Sequence, residues 1–515
     1  MKKLLFITLC LIIIFFVVFT LKKEPIVKHI SIIKKEKPIS YLSHRDLLKL
    51  SKRTISDKSV LVRLNKQLTK SYVVNKKQRI DNTEKKIKLN PPAGGEARQG
   101  RQSPILFPKP YLRIAHWNIQ RGLNINIIKQ IFGDMDGFYY SYKNNLKETQ
   151  QEGFKKELKD FASSDIISLN EVDIGMPRTN YKNTVSELAK TLNYNYTFAT
   201  EFIELSSIVY MSNVDTKHYK GLHGNAILSK YPIKNTKVIR LPECYKWLET
   251  ELSKQSPLEY GRRLGANKVF KMQITNEPRR GGRCALVADV ELPNKEIITV
   301  VSAHLEDRCY PSCRLKQVKY LLENLKYIKN PIILAGDFNT NTTDSAPTSF
   351  KKEFGKRIKD PNFIARQVAF AAVSGAPIAS GIIAGSINKI FQFKDPTALN
   401  IPVFFPNQER KFFKYLKEFQ FSDGESFDFN GDSKKSSNGK MGLLANSNER
   451  QLKGFESTFR FAKPLGIAYF KLDWFFVKPQ RNRFLPFNGQ TLQLINHAYP
   501  ERISDHEPIT VNVTL

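Results

Sequence analysis

Pro331-Ile332-Ile333-Leu334-Ala335 is an apolar run of strand length, and it ends in Gly336-Asp337-Phe338-Asn339. Such a run reads as a buried strand whose end carries two polar side chains, with the glycine allowing a tight turn. The same pattern recurs along the chain. Leu112–Asn118 leads into Trp117-Asn118-Ile119-Gln120, and Asp165–Leu169 runs into Asn170-Glu171-Val172-Asp173. Ile297–Ala303 ends at Ser302-Ala303-His304-Leu305, and Leu472-Asp473-Trp474 lies in the strand-like stretch Lys471–Val477. Ser504-Asp505-His506 stands just before a final strand, Ile509–Leu515. Further strands are expected at Asn225–Leu228 and Ala285–Val290. Helices are expected at Asn183–Leu192, opened by an Asn or Thr cap, and at Ser312–Ile328, where Leu315, Val318, Leu321, Leu322 and Leu325 share a face. Mixed strands and helices with polar residues at strand ends predict an α/β sandwich, sheets inside and helices outside.

The polar residues have a chemistry in common. Hydrolysis of a phosphoric ester near neutral pH needs a cation to neutralise phosphate charge, a base for water and an acid for the leaving oxygen. Glu171, Asn118 and Asp505 are the hard oxygen donors that Mg²⁺ or Mn²⁺ prefers, and no Cys/His cluster offers a softer metal a site. Asp473 and His506 form a carboxylate–imidazole pair, in which the acid fixes the tautomer of the ring. Each motif alone is weak, since Asp and Asn often simply cap turns. Their order together is far more specific.

Taken in that order, Asn118-x-Gln120, Asn170-Glu171, His304, Asp337-x-Asn339, Asp473 and Asp505-His506 resemble the endonuclease/exonuclease/phosphatase superfamily, whose fold is that of pancreatic-type deoxyribonuclease. The resemblance runs from about Leu112 to Leu515, excepting roughly Asp344–Phe455, which is longer than the usual connection. It implies a four-layer αββα sandwich of two mixed sheets flanked by helices, and Mg²⁺-dependent attack of water on phosphorus. By the same resemblance Glu171 is the principal metal ligand, assisted by Asn118 and Asp505. His506, paired with Asp473, acts as base or phosphate contact. Asp337 handles a proton, and Asn339 and His304 bind phosphate oxygens. Arg178, His223 and Gln120 are further candidate substrate contacts, and Arg279, Arg280 and Arg283 form a basic hairpin able to meet an anion.

The remainder bears on partners. The 515-residue chain carries a net charge of +34, of which residues 1–110 supply +18, so an anionic partner is expected: nucleic acid or phospholipid headgroups. Leu4–Leu21 is uncharged between Lys2-Lys3 and Lys22-Lys23; at about 1.5 Å per residue it spans roughly 27 Å, enough for a transmembrane anchor. No small-x-small site follows it, so an uncleaved anchor is expected rather than a cleaved signal peptide. The flanking lysines favour a cytoplasmic domain, whereas Cys244, Cys284, Cys309 and Cys313 permit disulfides and favour an extracytoplasmic one. The Cys309-x3-Cys313 spacing suits a small loop bridge. Residues 22–110 read as a basic juxtamembrane segment and Pro/Gly linker, with Leu47–Val73 as a membrane-surface amphipathic helix. The catalytic domain is expected from 111 to 515 with an insertion at about 344–455. Within the insertion, uncharged residues 367–388 form a candidate membrane-dipping hairpin, and 422–450 an exposed loop. Three readings follow: a nuclease-type hydrolase, a lipid phosphodiesterase or phosphatase, and a catalytically silent membrane-tethered binding module.

Overall fold

The computed structural model describes residues 41–76, 109–210, 214–253, 277–340, 408–428, 457–460 and 469–515. The expected anchor Leu4–Leu21, the hairpin 367–388 and most of the insertion 344–455 lie outside them. Among the described residues, no helix is long and apolar enough to cross a membrane.

Two mixed sheets face each other. The larger runs in the order β1 (Ser71–Val74), β4 (Asn195–Glu204), β5 (Leu222–Ser229), β3 (Ile166–Ile174), β2 (Tyr111–Asn118), β15 (Ile509–Thr514) and β14 (Pro486–Thr491), with β7 (Arg279–Gly281) also pairing β4. The smaller runs β13 (Asp473–Lys478), β10 (Ile332–Asp337), β9 (Ile297–His304), β8 (Cys284–Glu291) and β6 (Ile233–Arg240). A third, two-stranded antiparallel sheet is formed by β11 (Phe459–Arg460) and β12 (Tyr469–Phe470), and Phe459 bridges to His506. Among the described residues, only β2–β3 and β9–β10 are parallel pairs.

Strand parity decides which side chain enters which layer. On β2, Leu112 and Ile114 join the apolar core that holds Val300, Ile333 and Phe475 of the smaller sheet, whereas Ala115 and Trp117 join the core beneath the helices Ile125–Gly133 and Glu148–Ala162. His116 and Asn118 share the parity of Ile114 and so lie between the sheets. On the outer face of the smaller sheet, Val318, Leu321, Leu322 and Leu325 of the helix Pro311–Leu325 pack with Phe412, Phe413 and Leu416 of the helix Arg410–Glu418. That second helix belongs to the expected insertion, which therefore contributes to the core. Arg314 and Glu409 pair at 2.5 Å inside this layer. Residues 422–428, the start of the expected exposed loop, return to the domain and bury Phe427.

Two expectations are corrected. Leu47–Val73 is not one surface helix. It holds the end of the helix His44–Leu50, the helix Lys58–Thr69 and most of β1. Leu47, Leu50, Val60 and Leu64 are buried, and β1 pairs with β4 from Ser71↔Ala199 to Val74↔Tyr196. The first helix ends at Leu50, and Asp57 caps the second by accepting from the N–H groups of Ser59 and Val60. The folded domain thus begins upstream of Tyr111. The other correction concerns the thiols. Cys313 is bridged to Cys244, across 69 residues, and Cys309 and Cys284 are free. Cys313 is on the helix Pro311–Leu325, where it faces the segment after β6 rather than its own preceding loop.

Candidate active site

Three strand ends lie abreast in the smaller sheet. Asp337 pairs with His304 on one side and with Asp473 on the other. Gly336 makes this possible, though not through a turn. It sits within β10, and a Cβ there would lie 1.9 Å from the carbonyl oxygen of Ala303. The glycine serves close approach of β10 to β9. Opposite, in the larger sheet, Asn118 pairs with Asn170. The register of β3 against β5 then shifts between Leu169 and Val172, and Glu171 adopts φ +55°. Asn170 faces inward by the same alternation as Ser168, and the bulge re-aims Glu171 toward the site, the usual use of an extra strand residue.

Asn118 ties the two sheets together: its Nδ2 donates to Asp337 Oδ2 at 3.1 Å and to Glu171 Oε1 at 3.3 Å. The Ser504-Asp505-His506 loop is fixed by its backbone. Ser504 Oγ donates to Asn118 O at 2.7 Å, Trp117 Nε1 donates to His506 O at 2.9 Å, and Asp505 N donates to Gln120 Oε1 at 3.2 Å. Gln120, expected as a substrate contact, is thus an anchor for Asp505.

Two imidazoles flank Asp337, each held by its own buried acid. His506 Nδ1 contacts Asp473 Oδ2 at 2.8 Å, and His304 Nδ1 contacts Glu201 Oε2 at 3.0 Å. Their other nitrogens, Nε2 in both rings, each lie 3.7 Å from the same Asp337 Oδ2. Phe459 covers His506, ring centroids 5.0 Å apart. Against its burial, Asp473 and Asp337 raise the pKa of His506 well above the ordinary imidazole value. For His304, burial and Arg283 oppose protonation, but Glu201 and Asp337 outweigh them and hold its pKa raised.

The carboxylates respond to one another. Burial, reinforced by Glu171 and Asp337, pushes Asp505 up to about 6. Burial also raises Asp337, with Asp473 adding to it. Glu171 is lowered despite burial, because His223 and Arg121 lead the positive charges around it. Clustered acids that raise each other's pKa are short of positive charge, and all-oxygen donors suit a hard divalent cation. The residues Glu171, Asp505 and Asn118 therefore fit such an ion. Asp337, Asp473 and His506 also bring donor atoms within 4.8 Å of one another. Both oxygens of Asp473 are already occupied by imidazoles, His506 and His116, so that trio is better described as a hydrogen-bonded set.

Several expected contacts serve other purposes. Asn339 donates its Nδ2 to Leu305 O at 3.0 Å, which turns its amide toward the loop after β9. Arg178 grips Asp173 through Nε (2.6 Å) and Nη2 (3.0 Å) and Glu204 through Nη1 (2.7 Å). His223 contacts Asp173 Oδ1 at 2.9 Å. The two form a buried charge cluster beside Glu171 rather than an open phosphate clamp. The basic hairpin is also internal. Arg279 pairs with Glu277, and Arg280 donates to the carbonyls of Leu50, Lys52 and Arg53. Arg283 reaches Glu201 at 3.3 Å and Asp307 at 2.8 Å.

Glu201 and His116 were not marked by any motif. A signal existed for each: Glu201 is an acid inside the strand-like run Tyr196-Thr-Phe-Ala-Thr-Glu-Phe-Ile203, and His116 shares the parity of Asn118.

Oxygen donors gathered at one sheet end, with two acid-held imidazoles beside them, define a hydrolase of phosphoric esters. The chain belongs to the endonuclease/exonuclease/phosphatase family, whose sequence model matches residues 115–506. No curated protein sequence matches the chain. Among solved structures, the human Nocturnin catalytic domain with bound sulfate is 16% identical, with 79% of this chain and 95% of that one covered and a TM-score of 0.35. An endonuclease/exonuclease/phosphatase from Beutenbergia cavernae is 14% identical, with 79% and 72% covered and a TM-score of 0.33. ANGEL2, a 2',3'-cyclic phosphatase, is 15% identical, with 78% and 95% covered and a TM-score of 0.34.

Proposed function

We propose that the protein is a Mg²⁺-dependent phosphodiesterase acting on nucleic acid from a membrane tether. The observation that carries the chemistry is the pair of imidazoles, each 3.7 Å from Asp337 Oδ2 and each backed by a buried carboxylate. Water attack on a diester requires one group to accept a proton and another to protonate the departing alkoxide. His506, oriented by Asp473 and held toward its protonated form, is placed to contact a phosphate oxygen, and Asp337 is placed to take the proton from water. His304, oriented by Glu201, is placed to contact a phosphate oxygen or the leaving oxygen. Glu171 and Asp505, with Asn118, would hold Mg²⁺, or Mn²⁺ in its place. A bound divalent cation supplies neutralisation of phosphate charge.

The net charge of +34 supports a polyanionic substrate. Leu4–Leu21 and the basic residues after it support a single-pass anchor, and the Cys244–Cys313 bridge supports an extracytoplasmic catalytic domain. A lipid phosphodiesterase or phosphatase is the second reading, favoured by the same basic balance standing next to an apolar run.

A substrate panel on the full chain with Mg²⁺ separates these readings: plasmid DNA, RNA, sphingomyelin vesicles, phosphoinositide vesicles and bis-p-nitrophenyl phosphate. Cleavage of DNA or RNA above the lipids is expected, with loss in EDTA and in Glu171→Ala. Full activity in chelator would overturn the metal mechanism, and selective turnover of a lipid would replace the nuclease reading. No turnover by the intact chain would favour the silent binding module.

A further inference from the structure

Between the sheets, beneath the imidazoles, the buried polar side chains join into one chain of hydrogen bonds. At one end Asp473 Oδ2 meets His506, while its Oδ1 lies 3.2 Å from Nε2 of His116. His116 Nδ1 meets Ser168 Oγ at 3.1 Å, Ser168 Oγ meets Ser302 Oγ at 2.9 Å, and Asn170 Nδ2 donates to Ser302 Oγ at 3.3 Å. Asn170 is the branch point. Its Oδ1 accepts the backbone N–H of Asp337 at 2.8 Å, and its Nδ2 donates to Asn225 Oδ1 at 2.7 Å. Asn225 Nδ2 donates in turn to Glu201 Oε1 at 3.1 Å, and the other oxygen of Glu201 holds His304. His116, Ser168, Asn170, Asn225, Ser302 and Glu201 are all fully buried.

The polarity of this chain is determined. An ionised Asp473 can only accept, so both of its imidazoles must present N–H to it. Ser302 Oγ donates to Leu169 O at 3.2 Å and accepts from Asn170 and from Ser168, so the one hydroxyl proton of Ser168 is used on Ser302 and its oxygen is left to accept from Nδ1 of His116. In the other arm, each amide accepts on the side of Asp337 and donates on the side of Glu201. A buried group turned the wrong way would lose its partner and the free energy that goes with it. The chain therefore permits one arrangement of both ends at once.

We propose that His116, Asn170 and Asn225 are positioning residues that join the two imidazole–carboxylate pairs into a single unit. Damage to either arm then displaces both imidazoles relative to Asp337. The kinetic part of the test rests on the phosphodiesterase reading; the spectroscopic part does not.

The full chain and its His116→Phe, His116→Gln, Asn225→Ala and His116→Phe/Asn225→Ala variants are compared on bis-p-nitrophenyl phosphate with Mg²⁺. His116→Phe and Asn225→Ala should each lower kcat about 10–100-fold with KM changed less than about 3-fold, the range for residues that orient ligands and bases. His116→Gln, whose amide can still donate to Asp473, should recover most of the loss. The double variant should fall no more than about 3-fold below the worse single one, because losses through a shared unit do not multiply. In parallel, ring-nitrogen NMR of the histidines, of which the chain has 8, should show His116→Phe moving the His304 signals and Asn225→Ala moving those of His506. Multiplicative losses in kcat, or a far imidazole that does not move, would overturn the proposal. If the wild type leaves the diester intact, the phosphodiesterase reading fails, and the NMR arm still decides the coupling.

Discussion

Gly336→Ala tests the close approach on which the row Asp473–Asp337–His304 depends. The added Cβ would stand 1.9 Å from the oxygen of Ala303 and 2.8 Å from its carbonyl carbon. Both are backbone atoms of β9, so no side chain can rotate away. β10 must move outward by more than 1 Å, as the normal carbon–oxygen separation is well above 3 Å, and the ladder around Gly336↔Ala303 must open. Overpacking at such a site costs about 1–3 kcal/mol, and each ladder hydrogen bond weakened adds about 1 kcal/mol. A total of about 3–5 kcal/mol is expected from urea unfolding. Asp337 is the next residue, and a displacement of about 1 Å in a reacting group lowers turnover on the order of 10²-fold. Gly153→Ala is the matched control. It lies in the helix Glu148–Ala162 with only Leu494 Cδ1 at 3.1 Å, so helix propensity should leave it neutral or stabilised by up to about 1 kcal/mol. A Gly336→Ala protein with the wild-type urea midpoint and kcat would show that β10 does not need this close approach.

Other consequences can be checked in the same way. Asp473→Asn leaves one acceptor and one donor where two imidazoles require acceptors, so one ring must change tautomer; kcat should fall about 10²–10⁴-fold, and a loss under 3-fold would contradict the assigned role. Glu201, ordinarily near 4.5, is held at about 2 by His304 and Arg283 against the penalty of burial. A depressed carboxylate pKa contributes stability above the unfolded value, and that contribution disappears as pH falls from about 4.5 toward 2. Glu201→Gln should therefore flatten the acid limb of stability against pH by on the order of 2 kcal/mol between pH 7 and pH 3, read from urea midpoints at those two values. Cys244→Ser opens a loop of 69 residues and should lower stability by roughly 2–4 kcal/mol, with no further effect of reductant on the variant.

Much of the site was legible because its residues follow buried strands. An apolar run that ends in a polar side chain announces a strand end, and Asn118, His304 and Asp337 are the last residues of their strands, while Asp473 opens one and Glu171 sits at the bulge within another. The helix Thr184–Leu192 was legible from its Asn183 cap. Other residues gave a composition without a direction. Arg178 and Arg280 carry the charge of a phosphate clamp, yet Asp173 and Glu204 take the first and three helix-end carbonyls take the second. Charge is a property of one residue, whereas availability depends on what the fold sets beside it. The segment Leu47–Val73 departs from its expected surface helix for a related reason. Its basic surface matched a membrane helix, while its buried face answered to β4 and to a core not visible in that segment.

What the chain carries in itself is a set of apolar runs with acids, amides and imidazoles beside them, and so the family and its phosphoester chemistry. Those follow from local periodicity and residue type, which the chain carries wherever it folds. Tertiary structure alone decided the partnerships: Glu201 with His304, Cys244 with Cys313, β1 on β4, and Asn170 at the junction of the buried chain. Each joins residues distant in sequence, and only the facing of two sheets brings them within a hydrogen bond or a disulfide of one another.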